Sequence, residues 1–368
     1  MDTAATPPLA TDSPPEAARP VASDRTNIVT MLLGLWFTVG LLLDAWAHNN
    51  VPRLESFFTP WHAVFYSGFA ATAGWIAWTV RDGLRDGRLD VRTVPVGYAS
   101  SAVAVVGFAL AGGGDLAWHT AFGIEQNINI LFSPTHIGLA ATMLVIVGTP
   151  VRAMWADRSL ASAPGLRRLL PALVSACLCA TLVLLFLQYA NALALTAGDV
   201  TVGMSRFDEG FTARLVGSMA LTNLLLMVTL LTLARRWRLP PGTATLLYLT
   251  TGALSAAVTG LRNMALVVAF VLSGVVVDVL ARVLRPAPDR LTRYRAFAGL
   301  AALVTWSVYL ATARLVAGAA GGGVVELYTG APVVQAGLAV LLAVLLVPSR
   351  ESAPPDQDQP RVELGEHG

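Results

Sequence analysis

Apolar stretches of about 20 residues recur along the whole chain, separated by breaks rich in Arg, Gly or Pro. A helix of that length spans a hydrocarbon core, where only helices and closed barrels satisfy every backbone polar group. Barrel strands alternate over roughly ten residues instead of running apolar without interruption. The pattern therefore dictates an all-α fold, a polytopic transmembrane helical bundle. Composition agrees: 55% of the 368 residues are hydrophobic, 13% are charged and mean hydropathy is +0.62, too apolar for a soluble enzyme of this length.

The runs place about ten spans, near 27–47, 59–80, 94–119, 133–151, 169–195, 212–234, 241–261, 263–282, 294–314 and 331–347. The Gly260/Arg262 break divides the seventh from the eighth. Residues 1–26 and 349–368 are polar and without periodicity, and read as disordered tails. The first tail lacks the basic-then-apolar layout of a signal peptide. Between the tails, 27–152 holds spans one to four and 165–347 holds a scaffold of spans five to ten.

All 25 basic residues are Arg, and they orient the bundle. The even-numbered loops hold Arg81, Arg85, Arg88 and Arg92, then Arg152, Arg158, Arg167 and Arg168, then Arg235, Arg236 and Arg238, then Arg282, Arg285, Arg290, Arg293 and Arg295. The opposite side holds Arg53, Arg206, Arg214, Arg262 and Arg314. Cytoplasmic loops carry the positive charge, so the expected location is the cell membrane, with many passes and both termini cytoplasmic. The expected partner is the lipid bilayer, with no nucleic acid. Cys177 and Cys179 share one apolar run on different helix faces, which excludes a disulfide framework.

Two short windows hold four of the five histidines. The first, Asp44 to His62, reads DAWAHNNVPRLESFFTPWH, and the second, Asp115 to His136, reads DLAWHTAFGIEQNINILFSPTH. Each runs Asp, three residues, His, then a carboxylate (Glu55 or Glu125), then Thr/Ser-Pro-x-His. Asp44 and Asp115 are 71 residues apart and His62 and His136 are 74 apart, so the unit that repeats is a helical hairpin. Both hairpins open to the extracytoplasmic side, which makes the repeat tandem and parallel.

Asp and His four apart at a helix end lie one above the other on one face. Thr59-Pro60 and Ser133-Pro134 supply an N-cap and a first-turn Pro, which fixes His62 and His136 at about the third helical residue. A helix N-terminus disfavours the imidazolium, and neutral imidazole is the form that binds metal. One such Asp/His pair would be explained as an interfacial hydrogen bond. Two copies, each with a capped downstream His, point instead to metal held by Asp44, His48 and His62 and by Asp115, His119 and His136. Glu55 and Glu125 are additional ligand or base candidates. Two imidazoles and a carboxylate suit copper, zinc or iron alike. Asn49, Asn50, Asn127 and Asn129 are placed either to orient the imidazoles or to make turns, and Trp46, Trp61 and Trp118 suit an interfacial aromatic belt.

At these residues the sequence resembles the C subunit of the copper-dependent membrane monooxygenases that oxidise methane, ammonia and short hydrocarbons. That family carries Asp-x-x-Trp-His followed by Phe-Thr-Pro-Ser-His. Here Asp115-Leu-Ala-Trp118-His119 and Phe132-Ser-Pro-Thr-His136 are similar to it, as are Asp44, His48 and Phe58-Thr-Pro-Trp-His62. The motif is doubled here, and its first copy has the Trp one place early. The resemblance implies that the Asp and two His of each window are copper ligands, that a small apolar substrate is oxidised, and that partner membrane subunits take part.

Three functions fit the windows: a copper monooxygenase or a subunit of one, a zinc-dependent membrane hydrolase with Glu55 or Glu125 as base, and a non-enzymatic copper carrier or assembly factor. Transport calls for polar groups through the bilayer, and outside the windows Gln188, Asn191, Asn223 and Asp278 are the scattered candidates. Asn223 reads as a helix–helix hydrogen bond and Asp278 as interfacial. The loop TAGDVTVGMSRFDEGF, with Asp199, Asp208 and Glu209, reads as a solvated outer connection or a lid.

Overall fold

A computed structural model describes residues 19–51, 59–85, 88–123, 131–205, 208–318 and 323–349. Among these the chain forms twelve α-helices: α1 (Asp24–Asn50), α2 (Pro60–Val80), α3 (Tyr98–Phe122), α4 (Pro134–Val147), α5 (Thr149–Ala156), α6 (Leu166–Phe186), α7 (Ala197–Gly203), α8 (Glu209–Arg236), α9 (Thr243–Val258), α10 (Met264–Leu284), α11 (Leu291–Val316) and α12 (Val325–Leu346). The strands among the described residues are two short antiparallel segments, Leu84–Arg85 paired with Arg88–Leu89, in the α2–α3 connection.

Among the described residues, seven helices are long and apolar enough to cross a membrane: α1, α3, α6, α8, α10, α11 and α12. The pair α4 and α5, bent by 43°, makes an eighth if it is one span. The chain is thus a multi-pass helical membrane protein, with seven or eight such spans where the sequence suggested ten. The shortfall lies at α2, whose first turns carry Pro60, His62 and Ser67, and at α9, whose 16 residues reach only about 24 Å at 1.5 Å per residue.

Several local expectations are revised. The fourth span breaks at Gly148 because Pro150 has no N–H to give Ile146; the Thr149 hydroxyl donates to that carbonyl instead, at 2.6 Å. The fifth span ends at Phe186, not near 195, and continues as 3₁₀ turns at Gln188–Ala190 and Ala192–Ala194. Within the 196–211 connection, Ala197–Gly203 is helical where a loop was expected. Thr196 and Asp199 form a capping box that starts α7, and Val200 and Met204 are fully buried. At the amino end, 24–26 are already helical, and the carbonyl of Pro20 accepts from Val96 N at 2.9 Å. Residues 1–18 and 350–368 lie outside the described residues.

The chain gathers into two compact units, Met1–Leu41 with Glu55–Leu160 and Leu170–Ser175, and Leu42–Leu54 with Ala161–Leu169 and Ala176–Gly368. In the first, α1, α2 and α3 meet around Phe37, Phe65, Phe69 and Phe108, whose ring centroids lie 4.3–5.9 Å apart in the contacting pairs. Glycines set how closely these helices approach. A Cβ on Gly40 would stand 2.7 Å from the Phe65 Cα, and one on Gly68 would stand 2.7 Å from the Phe37 Cα, the close backbone approach that small residues permit in membranes. Away from the histidines, the Tyr98 hydroxyl donates to Asn27 Oδ1 at 3.1 Å and Trp75 Nε1 donates to Thr30 Oγ1 at 2.9 Å, tying α3 and α2 to α1.

The second unit is cored by Leu226, Leu230, Tyr248, Phe270, Trp306 and Tyr309, all fully buried. Asn223 makes the helix–helix bond expected of it: its Oδ1 accepts from Trp306 Nε1 at 3.1 Å and its Nδ2 donates to the Gln335 carbonyl at 2.9 Å, joining α8, α11 and α12. Asp278 caps α9, accepting from the Ala244 and Thr245 amides at 2.9 Å each. Asn191 donates to Gln188 Oε1 and Ser255 Oγ. Cys177 and Cys179 are free, one buried and one partly so.

Candidate metal centre

The second window closes into a compact site inside the first unit. Asp115 and His119 lie one turn apart at the end of α3, and His119 Nε2 stands 3.4 Å from Asp115 Oδ2. From α4, His136 Nδ1 approaches Asp115 Oδ1 at 3.7 Å. The two imidazole centroids are 5.6 Å apart. One ligand atom from each of the three residues lies within 4.8 Å of the others, and Asp115 is only 2% exposed.

Local chemistry holds each donor in place. Ser133 is the N-cap of α4 and Pro134 its first residue, so His136 is the third, and its amide donates to Ser133 Oγ at 3.3 Å. The same hydroxyl lies 2.5 Å from His136 Nδ1. At His119, Nδ1 donates to the Gly123 carbonyl at 3.3 Å, since a carbonyl oxygen can only accept. That bond orients the ring so that Nε2 faces Asp115.

Thr135 is a participant the sequence reading missed. Its hydroxyl donates to Asp115 Oδ1 at 2.8 Å, and it occupies the variable position of Ser-Pro-x-His, where nothing in the spacing singles it out. Replacing Thr135 with Val keeps the β-branched shape and removes the donor. Loss of such an outer hydrogen bond typically weakens a metal site about 10–100-fold. Chelator competition on the variant is expected to show a drop of that order, with little change in melting temperature.

The first window repeats the local geometry. Thr59 caps α2, accepting from the His62 amide at 3.1 Å, and its hydroxyl lies 2.9 Å from His62 Nδ1. On α1, His48 Nε2 stands 3.7 Å from Asp44 Oδ2. The His62 ring stacks on Tyr66, with centroids 6.2 Å apart.

Other expected participants fall elsewhere. Asn49 and Asn50 donate to the carbonyls of Ala45 and Trp46 one turn back, and Asn50 also to that of Ala257, so they close the end of α1. Trp118 packs on Phe122 at 4.7 Å between centroids. Glu55, Glu125, Asn127 and Asn129 lie outside the described residues. No known family model, curated protein or solved structure matches this chain.

Proposed function

We propose that this protein is a membrane metalloprotein that holds copper in two Asp/His/His sets, one at the end of each of two tandem hairpins on the extracytoplasmic side of the cell membrane, within a bundle of ten spans. The observation that carries the reading is the approach of His119 Nε2 to Asp115 Oδ2 at 3.4 Å while His119 Nδ1 is engaged by Gly123. With Nδ1 turned to Gly123, Nε2 faces the carboxylate, and a metal ion between the two would be bound by both. A buried carboxylate also needs a charge partner, which a bound metal ion would supply.

Asp115 would neutralise part of the ion's charge, His119 and His136 would complete the set, and Ser133, Thr135 and Gly123 would hold those groups in register. Copper, when bound, supplies one-electron redox chemistry and the means to use dioxygen on a small apolar substrate arriving from the bilayer. The similarity of Asp115-Leu-Ala-Trp118-His119 and Phe132-Ser-Pro-Thr-His136 to the copper monooxygenase motif favours copper over zinc and iron. Partner membrane subunits belong to the same proposal.

Electron paramagnetic resonance of the purified, copper-loaded protein tests the metal. The expected spectrum is that of Cu(II) with hyperfine splitting from two imidazole nitrogens per site. Retention of zinc or iron in preference to copper overturns the copper assignment and leaves the ligand sets standing.

A further inference from the structure

A second kind of site lies in the second unit, at the ends of α8 and α10 and the start of α11, well separated in sequence from the histidine windows. Here a cavity of about 470 Å³ is lined by Arg235, Arg236, Arg238, Arg285 and Arg290, with Asp289 its single carboxylate. We propose that this cavity binds the phosphate-bearing headgroup of an anionic phospholipid.

Charge makes the first part of the argument. Five guanidiniums against one carboxylate leave a strong excess of positive charge on one concave surface, and guanidinium is the side chain best suited to phosphate, through paired N–H donors. Orienting the spans requires only that arginines be near the helix ends; it does not require them to converge. Those of the α2–α3 connection, Arg81, Arg88 and Arg92, sit on exposed turns and a ribbon, whereas these five share one cavity.

Shape and position select a lipid over a free anion. The floor is apolar: Trp237 is 1% exposed and Pro286 is buried. A neighbouring cavity of about 440 Å³ shares Ala163 and Arg238 with the first and is walled by Leu166, Leu239, Pro240 and Ala281, with Asp278 and Arg282 as its charged residues beside Arg238. A headgroup in the arginine lobe would therefore have a mainly apolar lobe beside it for its glycerol and upper acyl chain. Both lobes lie at the ends of helices long enough to cross a bilayer, which is headgroup height. Basic pockets at that height are where anionic headgroups bind.

Several elements hold the cavity open. Arg238 N donates to the Ser162 carbonyl at 2.8 Å, which fastens the segment before α6 over the end of α8. Pro286 and Pro288 stiffen the α10–α11 turn. The α11 N-cap, Arg290, provides no side-chain hydrogen bond to the helix start, so the positive end of that helix adds to the field in the cavity.

The test uses the delipidated full-length protein, titrated with phosphatidylglycerol, phosphatidylcholine or free glycerol phosphate and followed by native mass spectrometry and thermal melting. Phosphatidylglycerol alone is expected to bind and to raise the melting temperature. The triple variant Arg235→Gln, Arg285→Gln, Arg290→Gln is expected to bind it on the order of a hundredfold more weakly, given the usual gain per basic residue near anionic lipid. A triple variant of matched charge in the first unit, Arg81→Gln, Arg92→Gln, Arg158→Gln, is expected to bind as wild type does. Equal losses in the two variants would mean diffuse attraction and would overturn the site. Equal binding of phosphatidylcholine, or of glycerol phosphate, would overturn the anionic-lipid assignment. If the first triple variant does not fold, Arg285→Gln alone is expected to weaken binding roughly fivefold, and unchanged binding in that variant counts against the site.

Discussion

His119→Ala is expected to remove one equivalent of bound metal per chain. His119 supplies the only imidazole of the second window carried on α3, one turn from Asp115, and no other described side chain can take its place from that helix. With it gone, Asp115 and His136 form a two-point site, and metal retention after dialysis should fall at least as far as for the loss of an outer hydrogen bond, about 10–100-fold. Elemental analysis beside His48→Ala and the double variant reads the relation between windows. Stepwise loss means two independent sites, and joint loss from either single variant means one shared site. Retention of the full wild-type content by His119→Ala would remove the second window from the ligand set.

Gly138→Leu is expected to lower the melting temperature by several degrees and to empty the second window while leaving all its ligands in the sequence. α3 and α4 pack in a narrow antiparallel register in which Gly107 faces Thr142, Gly138 faces Ala111, and Gly114 faces Thr135. A Cβ at Gly138 would already stand 3.2 Å from Ala111 Cβ, so a leucine forces the two helices apart. Overpacking of this kind costs about 1–3 kcal/mol, and in a membrane the close approach of small residues is itself a principal source of helix association. The displaced turn lies two residues from His136, so its distance to Asp115 opens at the same time. Gly113→Leu is the control: a Cβ there meets nothing within 4 Å, and that variant is expected to keep its stability and its metal. Metal retained at wild-type level by Gly138→Leu would show that helix spacing does not set the site.

The helical membrane architecture was legible because hydropathy needs no tertiary information: about 20 apolar residues in a row admit few other folds. The caps were legible for a similar reason, since Thr59-Pro60 and Ser133-Pro134 specify a helix start by local chemistry alone, and His62 and His136 follow at the third position of their helices. Interactions across sequence distance were not legible. Thr135 reaches Asp115 over 20 residues, and the small-residue register of α3 on α4 appears only when the two helices are laid together. The fate of 196–211 depended on the same kind of information: its polar residues suggest solvent, yet Val200 and Met204 carry the segment into the core. For Asn49 and Asn50 the sequence left two roles open, and an amide beside a histidine in sequence has a nearer acceptor in its own helix, one turn back.

The most direct measurement is the metal content of the wild-type protein, purified in detergent and dialysed against a weak chelator. Transition metal retained at one or more equivalents per chain, and lost only to a strong chelator, is the predicted result. A protein that retains none after incubation with copper, zinc or iron would contradict the account.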